Sequence, residues 1–320
     1  MVARALEVSP EPSTQSAGRV WAALCVVYVV WGSTYLGILL AIRTIPIYLM
    51  GAVRFLIAGA LLYAWSVRRG DRVGDRPGRR QWAAAIVLGV ALFVVGNTGV
   101  AWAEKRIDTG VCSLVIATVP LWMALFDRVA WGQRLSRLGA LGLAVGFAGA
   151  GLLAWPSGPG RIDVAGASVL VLAAASWAAG SLYARRAPLP RRPLVSASMQ
   201  MLAGGAVLAV IAAANGEVSD LHRVSAESLL ALGYLIVFGS LIAFSAYAWL
   251  LRVTRTSLVS TYAYVNPLVA VCIGWAIESE PIGVRTSVAG VLILAAVALI
   301  VTPPKETAAE AAVAVPARGR

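Results

Sequence analysis

The sequence predicts an all-α membrane protein of ten transmembrane helices arranged as two inverted five-helix repeats. Three observations predict it. The 320 residues are 59% hydrophobic and only 13% charged, against roughly 25% charged in soluble domains. Apolar runs recur along the chain, each long enough to cross a bilayer. And a string of residues, Ala101, Trp102, Thr109, Ser113, Pro120 and Leu121, returns without a gap 147 residues later as Ala248, Trp249, Thr256, Ser260, Pro267 and Leu268.

The elements follow in order. Residues 1–18 are polar, lack an apolar core of the signal-peptide kind, and are expected to be a disordered cytoplasmic tail. The first repeat, 19–156, holds spans near 20–41, 46–67, 82–103, 108–129 and 138–155. The fifth is glycine-rich (Gly139, Gly142, Gly146, Gly149), a spacing that lets helix backbones approach closely. The second repeat, 163–302, holds spans near 164–183, 193–213, 227–251, 256–277 and 283–301. Pro46 and Pro193 open corresponding helices, and Trp31 and Trp177 sit near the middle of corresponding first helices. Residues 303–320 are an Ala/Pro-rich segment, expected to be a second disordered cytoplasmic tail.

Charge sets the orientation. With both termini cytoplasmic, 20 Lys and Arg fall on the inner side and 6 on the outer, leaving Arg54 within a span. Basic loops stay inside, so this arrangement is strongly preferred. Five spans per repeat is odd, so the second repeat enters the membrane upside down. The loops agree: 68–80 is basic and its counterpart 217–227 mostly acidic. Prolines breaking corresponding helices of two inverted halves point to a transport site.

Composition also excludes functions. The net charge of +12 is spread over short loops between apolar runs, so the lipid bilayer is the expected partner and nucleic acid is not. Cys25, Cys112 and Cys272 lie in apolar runs without metal-ligand spacing, and His222 is in a polar loop; no metal and no cofactor is expected. No carboxylate sits mid-span; Glu104, Asp108 and Asp127 come closest, so proton coupling is not written here and facilitated exchange stands beside it. With no paired base and nucleophile and no phosphate loop, an enzyme or a self-contained ATP-driven pump is not expected.

Ten spans in two halves, W-G-S-T-Y at 31–35, R-F at 54–55, Pro120–Leu121 followed by W-G-Q-R-L at 131–135, and Asn266–Pro267 followed by E-S-E-P-I at 278–282 resemble the EamA-type drug/metabolite transporter superfamily. The likeness covers about residues 20–302, and Trp31–Leu36 with the Arg54 region looks most like its YedA-like group of bacterial inner-membrane exporters. The family usually has a Gly-Glu pair in the turn after each proline helix; here the first turn has Gln133, and the second has Glu280 without the preceding glycine. The resemblance implies alternating access by inverted repeats around a cavity lined mainly by the first, third, fourth, sixth, eighth and ninth helices. The implied function is a multi-pass secondary transporter, an exporter of small organic metabolites or drugs across the bacterial inner membrane. A non-transporting structural or sensory membrane protein and a membrane-embedded enzyme are the alternatives. A homodimer is left open as its assembly.

The candidate substrate-binding residues are Trp31, Ser33, Thr34, Tyr35, Arg54, Asn97, Thr118, Pro120, Trp177, Tyr247, Tyr262, Asn266 and Pro267. Arg54 is the only charge near a span centre, where an arginine costs about 2.5–3.5 kcal/mol on insertion scales. It either attracts an anionic solute group or ties helices through backbone carbonyls. Mid-span Trp31 and Trp177 are either pocket walls or packing, since tryptophan prefers the interface. Ser33, Thr34 and Tyr35 put hydroxyls at mid-depth, where bonding back along the helix is the competing reading. Tyr262 and Asn266 share a helix face, and Thr118 with Pro120 is their equivalent in the fourth span. Asn97 and Tyr247 are further candidates, with an interhelical bond the competing role for Asn97.

Overall fold

The computed structural model describes residues 17–68, 77–132, 137–154, 163–190, 192–219, 224–254, 259, 262–279 and 282–301. Both expected tails, apart from Ala17 and Gly18, and the turn residues Gln133 and Glu280 lie outside these. We label the helices α1 (Ala17–Ala41), α2 (Ile47–Arg68), α3 (Arg79–Glu104), α4 (Thr109–Ile116, restarting as Val119–Trp131), α5 (Arg137–Ala154), α6 (Val164–Ala184), α7 (Pro193–Ala214), α8 (226–253), α9 (Tyr262–Glu278) and α10 (Val284–Val301). Among the described residues there is no strand. Seven helices are long and apolar enough to cross a membrane, and shorter apolar helices lie within α5, α9 and α10. The chain is a multi-pass membrane protein. Large apolar side chains such as Val29, Leu61, Val87, Leu172, Val210 and Leu230 point outward, where lipid is a better solvent for them than water.

Residue chemistry explains the element ends. Asp163 caps α6 by accepting from the Ala165 and Gly166 amides, and Ser225 caps α8 by accepting from Ser228 N. Pro193 opens α7, where its missing donor costs nothing. Gly132 ends α4 in the left-handed region, φ 65°, the favoured glycine position. Ser279, 147 residues on, ends α9 with φ 56°. Ser279 thus takes the left-handed φ that Gly132 takes, without being a glycine.

The two prolines behave differently. At Pro120 the helix stops at Ile116 and restarts at Val119, so the proline falls in a first turn and removes no helical bond. Pro267 lies inside α9, which runs through it. There the side-chain amide of the neighbouring Asn266 faces Tyr262 O and Tyr28 O, and with its nitrogen turned to them it donates to both at 3.2 Å.

Two features were not legible in the sequence. α3 widens into a π-turn over Val90–Asn97, and α8 does the same over Leu235–Ile242. Thr98 N bonds Phe93 O and Ala243 N bonds Phe238 O, each five residues back. π-turns inside α-helices concentrate at functional sites.

The closest packing joins distant parts of the chain: α2 with α7, α5 with α10, α1 with α8 and α9, and α6 with α3 and α4. Where α3 crosses α7, a Cβ on Gly89 would lie 2.6 Å from Gly204 N, and one on Gly204 would lie 2.8 Å from Gly89 O. Only two glycines allow that approach. At the α5–α10 contact a Cβ on Gly146 would meet Leu121 at 2.3 Å and Ala296 at 3.0 Å, so this glycine serves packing as its spacing predicts.

Candidate functional site

A partly open cavity of about 990 Å³, its mouth included, lies among α1, α2, α3, α4, α6, α7, α8 and α9. Helices α5 and α10 pack on each other and, among the described residues, contribute none to its wall. The family pattern omitted α2 and α7, which supply Arg54, Phe55 and Met201.

Arg54 is 4% exposed. Its Nε donates to Ser240 Oγ at 3.1 Å and its Nη1 to Asn97 Oδ1 at 3.2 Å. Both acceptors belong to π-turns, Asn97 to that of α3 and Ser240 to that of α8. The guanidinium also lies 5.0 Å from the centre of the Phe55 ring, which packs on Phe93 at 4.5 Å. Neutral acceptors and an aromatic face lower the cost of holding a charge at this depth without cancelling it.

Each π-turn also offers a carbonyl to a side chain of the opposite repeat. Trp31 Nε1 donates to Gly239 O at 3.2 Å, and Ser176 Oγ donates to Ala91 O at 2.9 Å. The Trp31 ring stands against Tyr247 at 5.0 Å, Tyr262 at 5.2 Å edge-on and Phe244 at 6.3 Å. Trp177 packs closely on Gly96, where a Cβ would come within 2.9 Å of its ring.

Of the sequence candidates, Trp31, Thr34, Tyr35, Arg54, Asn97, Trp177, Tyr262, Asn266 and Pro267 meet in the cavity wall. Ser33, Thr118, Pro120 and Tyr247 do not. Ser33 turns to Tyr234, with 2.6 Å between the hydroxyls, and to Val30 O. Thr118 is buried and donates to Val115 O at 2.6 Å, the backbone bonding its residue type favours. Pro120 sits one residue past the wall residue Val119, and Tyr247 supports Trp31 from behind. Thr34 lines the cavity but spends its proton on Trp31 O at 2.6 Å. Sequence reasoning missed Gly239, Ser240 and Phe244. The only signal for the first two was a glycine followed by a small polar residue inside an apolar run, the pattern Gly96–Asn97 also has.

Polar contacts join helix ends on both sides of the bundle: at one end Arg192, just before α7, donates to Ser66 O of α2 at 2.7 Å, and the ion pairs lie at the other. Arg43, just past α1, pairs with Glu227 of α8 at 3.1 Å and Glu278 of α9 at 2.5 Å. Arg106 pairs with Asp163 at 3.1 Å, and Glu217 accepts from Leu49 N at 2.8 Å. Glu104 is 5% exposed near this end of α3 and stands outside the cavity lining. No group of three or more His, Cys, Asp or Glu that could hold a metal occurs among the described residues.

With this geometry in view, comparison with known proteins is decisive. The EamA-like transporter family matches residues 18–155 and again 164–302. The chain belongs to that family. It is 36% identical over 280 residues to the uncharacterized inner membrane transporter YedA of Escherichia coli (strain K12), covering 86% of this chain and 88% of that one. It is 22% identical to the uncharacterized transporter YvbV of Bacillus subtilis (strain 168), over 90% of this chain and 93% of that one. A protein of known crystal structure, 21% identical, shares the fold with a TM-score of 0.61 over 89% of this chain and 98% of its own. The EamA-like chain is therefore a membrane transporter.

Proposed function

We propose that the protein is a secondary transporter of small organic solutes in the bacterial inner membrane, working by alternating access of two inverted five-helix repeats, 19–156 and 163–302. The observation that carries this reading is the Arg54 clamp. One buried cation, inside a cavity walled by both halves, is bonded to a π-turn of each. A charge held between two halves at mid-depth feels any movement of one against the other.

The packing supports inverted repeats. Exchanging each helix for its counterpart five positions on turns the α1–α9 contact into α6–α4 and the α1–α8 contact into α6–α3, and both members of each couple occur. The π-turns begin at Val90 and Leu235, 145 residues apart. Such symmetry lets one site open to either face in turn. The inner-membrane location rests on the likeness to the Escherichia coli inner membrane transporter YedA, the inward termini on the charge of the loops, and outward flux on the likeness to exporters.

Counterflow in proteoliposomes at zero pH gradient and zero potential tests transport itself, and an imposed pH gradient separates exchange from proton coupling. A single cysteine at Ala117, in the cavity wall, with Cys25, Cys112 and Cys272 replaced, tests alternating access. Solute is expected to change its labelling from the two faces in opposite directions. Labelling from one face only, whatever the solute, overturns the mechanism.

A further inference from the structure

We infer that the cavity selects a small organic anion with a flat apolar body: a carboxylate or similar group on Arg54, the rest against the aromatic wall. This rests on the transporter reading and names its solute class. A guanidinium carries five N–H donors. Nε and Nη1 spend one each on Ser240 and Asn97. Nη2 has no hydrogen-bond partner among the described residues, yet it is not among the sealed, unsatisfied buried atoms, so it faces the cavity. Beside it Gly239 keeps space clear, since a Cβ there would stand 3.3 Å from Nη2. The N–H groups of Nη2 are charged donors of the kind that bind a carboxylate oxygen.

The charge balance of the wall supports the same sign. Arg54 is the one ionised side chain in the lining; no Asp or Glu of the described residues reaches it. Arg54's two hydrogen-bond partners are neutral, and the buried Glu104 carboxylate, outside the lining, acts on it only through space, so its remaining N–H donors are left for a ligand. A cation would be repelled by Arg54, and an ammonium group would find no carboxylate. Indole and phenol rings at Trp31 and Tyr262, with Phe244 beside them, suit a planar apolar body.

The test uses the purified full chain in lipid nanodiscs, with binding read by thermal shift and titration. The probes are arylcarboxylates from benzoate to indole-3-acetate, the matching neutral amides, the matching aryl amines, and phenylalanine as a zwitterion. Carboxylates are expected to bind about tenfold or more tightly than amides, amines or phenylalanine, as loss of one charge-assisted bond implies. Arg54→Gln is expected to erase the preference for carboxylate over amide, and Arg54→Lys to keep part of it. Equal or better binding of amides or amines overturns the proposal, as does no carboxylate binding at all, or a preference that survives in Arg54→Gln. Should Arg54→Gln fail to fold, the order of affinities in the unaltered chain decides. Proteoliposome flux with the same probes separates the two readings. Anions that bind but never cross leave the site and sink transport; amines that cross while anions do not bind sink the anion site and leave transport.

Discussion

Arg54 Nε reaches Ser240 Oγ across 3.1 Å, from the middle of α2 to the π-turn of α8, between residues 186 apart in the chain. With the Asn97 bond from Nη1, it makes Arg54 the tie between two helices that belong to different halves. Ser240→Ala and Asn97→Ala should each cost about 1–3 kcal/mol, because each leaves a buried charged donor without its partner. The two acceptors share one guanidinium, so their effects should not add. Denaturant unfolding of both single variants and the double variant in micelles checks this; strict additivity would show that the two bonds are independent.

Trp31 contributes both a ring and a bond. Trp31→Phe keeps aromatic contact with Tyr247, Tyr262 and Phe244 but loses the Nε1 bond to Gly239 O. The expected cost is about 1 kcal/mol of stability. Trp31→Ala should cost about 3–5 kcal/mol, the range for removing a packed indole. A thermal shift series ordering the two variants the other way would contradict the wall as described.

The Gly89–Gly204 crossing is backbone against backbone, so nothing flexible can yield. Gly89→Ala and Gly204→Ala should each destabilise by about 1–3 kcal/mol, the cost of overpacking. Gly233→Ala, inside α8 with no atom within 4 Å of its Cβ, is the control and should not destabilise the protein.

Ser279 holds φ 56° where Gly132 holds φ 65°. A residue with a Cβ pays about 1–2 kcal/mol in that region. Ser279→Gly should therefore stabilise the protein by about 1 kcal/mol, and Gly132→Ala should destabilise it by a similar amount, both read from unfolding midpoints.

Arg43 bridges α1 to both α8 and α9, but its side chain is 42% exposed. Exposed pairs are worth about 0–1 kcal/mol. Arg43→Ala should leave the melting temperature almost unchanged. If the bridge keeps that end of the cavity closed, the variant should raise labelling of a cavity cysteine from that face by no more than about fivefold, the limit that 1 kcal/mol sets.

Membrane class, helix positions and Arg54's need for partners were written in local chemistry. Long apolar runs have one solvent in which they are stable, and an arginine inside one must find partners wherever it lies. The register of 147 was equally visible, because it is a property of the string of residues, and it correctly paired Gly132 with Ser279. What the folded chain decided was who the partners are. Ser240 and Gly239 come to the site only because α8 widens into a π-turn beside α2, and the pattern of apolar residues is the same for a π-turn as for an α-helix. Ser33, Thr118 and Tyr247 have the side chains a site needs, yet the first two spend their hydroxyls on nearby groups and the third backs Trp31. Side-chain chemistry states what a residue is able to bind; which of those bonds it makes depends on the helix that packs against it.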